Sequence, residues 1–176
     1  MLKKTSIDRI NLPNFLMIFL KFYKFELLFL TIFFIGIYIF LAYFGVAELA
    51  IYYAVLSVGL VISYLLHEYS HIIVFKIINK TGEMTIEKNW HRISIVPSYK
   101  ISGKNLIFVA ISGPLICGFI GFLLLFSPYL IIQIVGGFFL IHLLFVLPPF
   151  GDGMMMIKGI LEMTSKGGEK NGSDNR

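Results

Sequence analysis

Residues 49–75 read LAIYYAVLSVGLVISYLLHEYSHIIVF, from Leu49 to Phe75. A membrane span needs about 20 mostly apolar residues, and this stretch has them. It also carries His67, Glu68 and His71 near its end. Ionisable side chains inside a span each cost roughly 2.5–3.5 kcal/mol on insertion scales and default to a functional role. Three within five residues need compensation, and a bound cation supplies it. The spacing points the same way. His67 and His71 are four residues apart, so on a helix they lie on one face and both imidazoles reach one ion. Glu68 follows the first imidazole and lies near the same site without having to bind the metal.

Working outward, three more stretches reach span length: residues 27–47 without a charge, 106–126, and 129–150. Ser127 and Pro128 supply the turn between the last two. The composition agrees. Of 176 residues, 57% are hydrophobic and 14% charged, against about 45–50% and 25% in soluble domains. A water-soluble enzyme, a nucleic-acid module and a disordered chain fit poorly. The single cysteine, Cys117, excludes an internal disulfide framework and any CxxC zinc knuckle. The expected fold class is an all-α polytopic membrane protein with four transmembrane helices.

The basic residues orient it. All 15 Lys and Arg lie before the first span, between the second and third, or after the fourth. By the positive-inside rule, both termini and the central loop are cytoplasmic and the location is the cell membrane. The net charge of +5 is thus a topology signal, and nucleic acid is not an expected partner. Residues 1–26 form a cytoplasmic or interfacial segment, retained rather than cleaved as a signal peptide. Within it, Phe15 to Leu20 reads as an interfacial helix or an early extension of the first span. The membrane core is 27–158, and 159–176 is expected to be a disordered cytoplasmic tail. The loop between the second and third spans changes texture. Met84–Glu87, Arg92–Val96 and Tyr99–Ser102 alternate or run β-branched, so two or three short strands are expected at about 83–102.

Two imidazoles suit zinc, which takes nitrogen ligands at about 2.0–2.1 Å and, in catalytic sites, keeps a position open for water. A third ligand is required, and candidates are few: four His, one Cys, and Asp8, Asp152 and Asp174. His71 and His67 precede Lys76 by five and nine residues, about 7–14 Å along a helix. Asp152 precedes Lys158 by six on a chain returning to the same face, so it arrives at similar depth. The prolines and glycines of Pro148-Pro149-Phe150-Gly151-Asp152-Gly153 oppose a regular helix there. Irregular backbone at membrane depth is tolerated when buried in protein or lining a wet cavity. A helix cap at the interface is the other reading of Asp152. His142, ten residues before Asp152, falls near the depth of His67 and is a hydrogen-bonded packing histidine or a residue that supports the site or contacts substrate. Cys117 is a packing residue or a soft ligand. His91 reads as a surface residue.

Three elements together resemble the site-2 protease family of intramembrane zinc metalloproteases: HExxH at His67 to His71 within a span, Gly113-Pro114 in a following span, and Pro149-Phe150-Gly151-Asp152-Gly153, the end of the family's Asn-Pro-x-Pro-x-x-Asp-Gly motif. The resemblance covers about Tyr53 to Lys158. It implies one zinc per chain held by His67, His71 and Asp152, with Glu68 as general base. Gly113, Pro114, Pro149, Gly153, His142 and Cys117 would then support the site or contact substrate. The family's Asn and first Pro correspond to Val146 and Leu147, and the Asn that often follows Gly-Pro corresponds to Cys117. No PDZ domain is expected in this length. The implied activity is cleavage of membrane-spanning or membrane-inserted peptides near the cytoplasmic face, in regulated intramembrane proteolysis or peptide maturation. The partners would be that substrate, the bilayer and a regulatory membrane protein. Two alternatives are a catalytically inactive binding or chaperone module of the same fold, which has no need of Glu68, and a metal transporter, which lacks a polar path across the spans.

Overall fold

The computed structural model describes residues 2–6, 11–78, 83–88, 93–97 and 101–171. It is mostly helical, and four of its helical stretches are long and apolar enough to cross a membrane. In chain order the elements are β1 (Leu2–Ser6), α1 (Leu12–Phe22), α2 (Lys24–Tyr43), α3 (Ala47–Ile78), β2 (Glu83–Lys88), β3 (Ile93–Pro97), α4 (Gly103–Leu124), α5 (Leu130–Ile141), a 3-10 turn (His142–Val146) and α6 (Gly151–Asn171).

Helix α2 is apolar all round, and none of its residues is buried within the protein, as for a helix whose solvent is lipid. It ends earlier than the expected boundary at residue 47 because Gly45 takes φ 75°, a left-handed conformation that stops the helix at little steric cost to glycine. Helix α3 runs 32 residues, about 48 Å at 1.5 Å per residue. It therefore carries the HExxH stretch in one unbroken element. Helix α4 starts with Ser102 Oγ accepting from the Asn105 amide and is the most buried of the apolar helices. Its small residues let its neighbours close in. A Cβ on Gly121 would lie 2.7 Å from the Gly136 carbonyl of α5, and one on Gly159 of α6 would lie 2.6 Å from the Gly103 carbonyl. Such small-residue contacts are how helices pack where lipid is as apolar as the side chains.

Helix α1 is a separate element from α2 and packs against the body of the protein. Asn11 Oδ1 accepts from the Asn14 amide at 3.0 Å, and Pro13 pre-sets the first turn. The helix then buries Phe15, Ile18, Phe19 and Phe22, one stripe at helical spacing, in a cluster with Ile72 and Phe75 of α3, Ile86 of β2, and Ile101. Its other face, with Leu16, Met17 and Leu20, stays exposed. Tyr23, at the junction with α2, pairs its hydroxyl with that of Tyr64 at 3.0 Å. Burial, more than any charge, pushes the Tyr23 phenol above its ordinary range.

The strands form one antiparallel sheet in the order β1-β2-β3. Two of the expected loop strands are β2 and β3, with Ile86 opposite Ile95. The third strand comes from the N-terminus instead, with Lys3 opposite Ile86. Of the expected run at Tyr99–Ser102, residues 98–100, like Asn89 and His91, lie outside the described residues, and Ile101 and Ser102 are not in a strand. The expected fourth span is not one regular helix. Helix α5 ends at Ile141, a 3-10 turn follows, and Leu147–Phe150, with a cis Pro148–Pro149 bond, is non-helical. Helix resumes at Gly151, so Gly151 and Gly153 sit within the first turn of α6 rather than opposing helix. The expected disordered tail from residue 159 is likewise helical through Asn171. Pro148 and Pro149 break the chain upstream, and none follows to stop α6.

Candidate metal centre

The site is built where α3, α4 and the start of α6 meet. Along α3, Ser63, His67 and His71 are spaced by four and form one buried stripe. Asp152, in the first turn of α6, reaches both imidazoles. Its Oδ2 lies 3.0 Å from His67 Nε2 and its Oδ1 lies 3.4 Å from His71 Nε2. The two Nε2 atoms are 3.2 Å apart. Ligands on a tetrahedral zinc, at bonds of about 2.0–2.1 Å, would themselves be separated by roughly 3.3–3.4 Å. The three donors already stand at that spacing. Their identity fits as well: two imidazoles and a carboxylate, the donor set of catalytic zinc sites.

The hydrogen bonds fix which nitrogen of His71 carries a proton. His71 Nδ1 is 2.7 Å from the Val109 carbonyl, and a carbonyl only accepts, so Nδ1–H donates. Ser112 Oγ also donates to Val109 O at 2.7 Å and lies 3.3 Å from His71 Nδ1. In the neutral ring, Nε2 then holds a lone pair, and it faces the Asp152 carboxylate and the Nε2 of His67. The lone pair of His71 and the carboxylate repel unless a proton or a cation sits between them. This orientation of a ligating imidazole by a carbonyl behind it is the usual supporting arrangement for a metal-binding histidine.

Helix α4 supplies the back wall. A Cβ on Gly113 would lie 2.6 Å from His71 Nε2 and 2.9 Å from His67 Cε1. Only glycine leaves room for the imidazoles to converge. Pro114, fully buried, has no amide to give the Ala110 carbonyl, and its ring opens the helical ladder at that turn, beside the Val109 carbonyl used by His71. At the other wall, a Cβ on Gly153 would meet the Leu147 carbonyl carbon and oxygen at 2.5 Å and Val146 O at 2.6 Å. Gly153 therefore allows α6 to start tight against the Pro148–Pro149 turn and places Asp152. Glu68 is buried and close enough to His71 and Cys117 to act on both electrostatically.

His142 and Cys117 also come to the site. The His142 ring stacks on His67 with centroids 4.7 Å apart, and Phe145 packs edge-on to both. His142 Nε2 lies 3.2 Å from Ser63 Oγ, and the Cys117 thiol donates to the Ser63 carbonyl at 3.4 Å. His142 is thus both hydrogen-bonded and packed against His67, a position compatible with a packing histidine and with a group that supports the site. Ser63, Ser112 and Phe145 are participants that the sequence reading does not single out. The signal for Ser63 was its place one turn before His67, and for Ser112 its adjacency to Gly113. Comparison of the chain with protein families, with curated proteins and with solved structures returns no match.

Proposed function

We propose that the chain is an intramembrane zinc endopeptidase of the site-2 protease type, with His67, His71 and Asp152 holding one zinc and Glu68 acting as general base. The observation that carries the reading is the convergence of two imidazole nitrogens and a carboxylate at 3.0–3.4 Å, with the His71 proton committed to the Val109 carbonyl on the far side of the ring. When bound, zinc supplies a Lewis acid that polarises a peptide carbonyl and brings the pKa of water down to about 7.

The protein residues do the rest. His71 is held by Val109 and Ser112, so its ligating nitrogen stays aimed. Glu68, one residue after His67 and largely sheltered from solvent, takes a proton from the attacking water and returns it to the leaving amine; such transfers contribute about 10²–10⁴-fold. Gly113 and Pro114 keep α4 close enough to shut out bulk water. The substrate is a membrane-spanning or membrane-inserted peptide. Its amides are tied up in helical hydrogen bonds, so it unwinds locally before attack. The basic residues assign both termini and the sheet to the cytoplasmic side, so cleavage falls near that face. Regulated release of a membrane-tethered factor and maturation of a membrane peptide both match this chemistry.

The test is cleavage of a purified transmembrane peptide by the protein in lipid. Wild type cuts, and a zinc chelator stops it. Glu68→Gln retains zinc and does not cut. Cleavage by Glu68→Gln at the wild-type rate overturns the mechanism, and chelator-insensitive cleavage overturns the metal.

A further inference from the structure

Beside the first donor set lies a second. The ligand atoms of His67, Cys117 and His142 lie within 4.8 Å of one another, and all three residues are buried. Two of them carry an unmet need: among the described residues, His67 Nδ1 and His142 Nδ1 are buried without a hydrogen-bond partner, in residues only 2% and 6% exposed. Ser63 organises the group. Its hydroxyl donates to the Leu60 carbonyl at 2.8 Å, so toward His142 Nε2 it accepts. His142 therefore keeps its proton on Nε2, and its Nδ1 presents a bare lone pair.

We propose that His67, Cys117 and His142 form a second cation site, selective for a soft thiophilic metal, that is mutually exclusive with the His67–His71–Asp152 site. A sulfur and two imidazoles favour soft or borderline ions such as Cu(I), Zn(II) or Cd(II) over calcium or magnesium. Binding breaks the Cys117 S–H bond, until then donated to the Ser63 carbonyl, as the sulfur–metal bond forms, and the proton is released to bulk water. Closure around an ion needs the donors to draw together from 4.8 Å to roughly 3.3–3.8 Å, which requires the stacked His67 and His142 rings to turn.

The exclusion follows from His67. A neutral imidazole has one lone pair and one N–H. Ligation through Nε2, beside Asp152, leaves the proton on Nδ1, where no acceptor among the described residues holds it. His67 has that one lone pair for either donor set, so an ion held with Cys117 and His142 leaves none for an ion held with His71 and Asp152. A soft cation in the second site thus withdraws His67 from the first and switches the centre off. The second site stands without the proposed proteolysis; only the exclusion rests on the first.

Cys117 is the sole cysteine, so a cadmium–thiolate absorption band reports on it alone. The experiment titrates the full chain in lipid with Cd2+. We expect one cadmium–thiolate per chain, a cadmium absorption spectrum fitted by one sulfur and two nitrogens, and displacement of zinc in step with the band. Asp152→Ala, which disables the first site, keeps the band. His142→Phe and His142→Asn each weaken cadmium binding at least about tenfold, the lower bound for losing even a supporting partner. A cadmium shell without sulfur overturns the site, as does unchanged affinity in both His142 variants. Full zinc retention while the band saturates overturns the exclusion. Loss of the band in Asp152→Ala would mean that the cadmium–thiolate needs Asp152 and overturns a second site separate from the first.

Discussion

Replacing Gly113 with alanine places a methyl carbon 2.6 Å from His71 Nε2, 2.7 Å from His71 Cε1 and 2.9 Å from His67 Cε1. Ordinary contact begins near 3.4 Å, so the His71 ring must retreat by about 0.8 Å from the helix backbone that carries the new atom. It cannot retreat freely. Its Nδ1 is tied to the Val109 carbonyl at 2.7 Å, on the same helix α4 as the methyl, and its Nε2 is only 3.2 Å from His67. A misplacement of about 1 Å in a catalytic constellation costs on the order of 10²-fold in rate, about 2.7 kcal/mol of barrier. The expected outcome for Gly113→Ala is therefore a folded protein with cleavage down about 10²-fold and weakened zinc retention. The assay pairs initial rates on a transmembrane peptide with zinc content after dialysis, and thermal unfolding checks the fold. Wild-type rate and zinc content in a folded Gly113→Ala protein would refute the convergence of the imidazoles against α4.

Other outcomes follow from the same geometry. Gly153→Ala drives a methyl into three backbone atoms of the Val146–Leu147 segment; overpacking of this kind costs about 1–3 kcal/mol, and the displaced α6 carries Asp152 away, so both melting temperature and zinc content fall. Glu68→Gln retains zinc while the rate of peptide cleavage drops by about 10²–10⁴-fold, as measured by mass spectrometry of products. Phe15→Ala removes the fully buried ring at the centre of the α1–α3 cluster and should destabilise the fold by about 3–5 kcal/mol, read by unfolding in detergent; a change under about 1 kcal/mol would place α1 outside the core. Deleting residues 1–6 removes the strand paired with Glu83–Glu87, so hydrogen exchange of the β2 amides that face it should quicken.

What could be read from the chain beforehand was what depends on local pattern and on depth. Uninterrupted apolar length marks the spans, i and i+4 spacing joins His67 to His71, and counting back from Lys76 and Lys158 brings Asp152 to the same level. What escaped depends on contacts distant in sequence. The strand Leu2–Ser6 contains one large apolar residue and two lysines, with no alternation to announce it; its partner lies some eighty positions on, and pairing with β2 defines it. The helical stripe of Phe15, Ile18, Phe19 and Phe22 is visible, but an amphipathic stripe looks alike whether it meets lipid or protein. Burial on Ile72 and Phe75 decides between them. The break in the fourth span was signalled by Pro148 and Pro149, yet the return to helix at Gly151 was not. Glycines disfavour helix on average, whereas Gly153 is there because the turn leaves no room for a Cβ. His142 reads as packing on frequency alone, and only its stacking on His67 brings it to the centre.

The most direct test is zinc stoichiometry with X-ray absorption at the zinc edge, on wild type and on Asp152→Ala purified in lipid. The account predicts one zinc per wild-type chain, bound by two imidazole nitrogens and a carboxylate oxygen at about 2.0–2.2 Å, and loss of that zinc in Asp152→Ala. Equal zinc content in the two proteins, or a wild-type shell lacking imidazole, would contradict it.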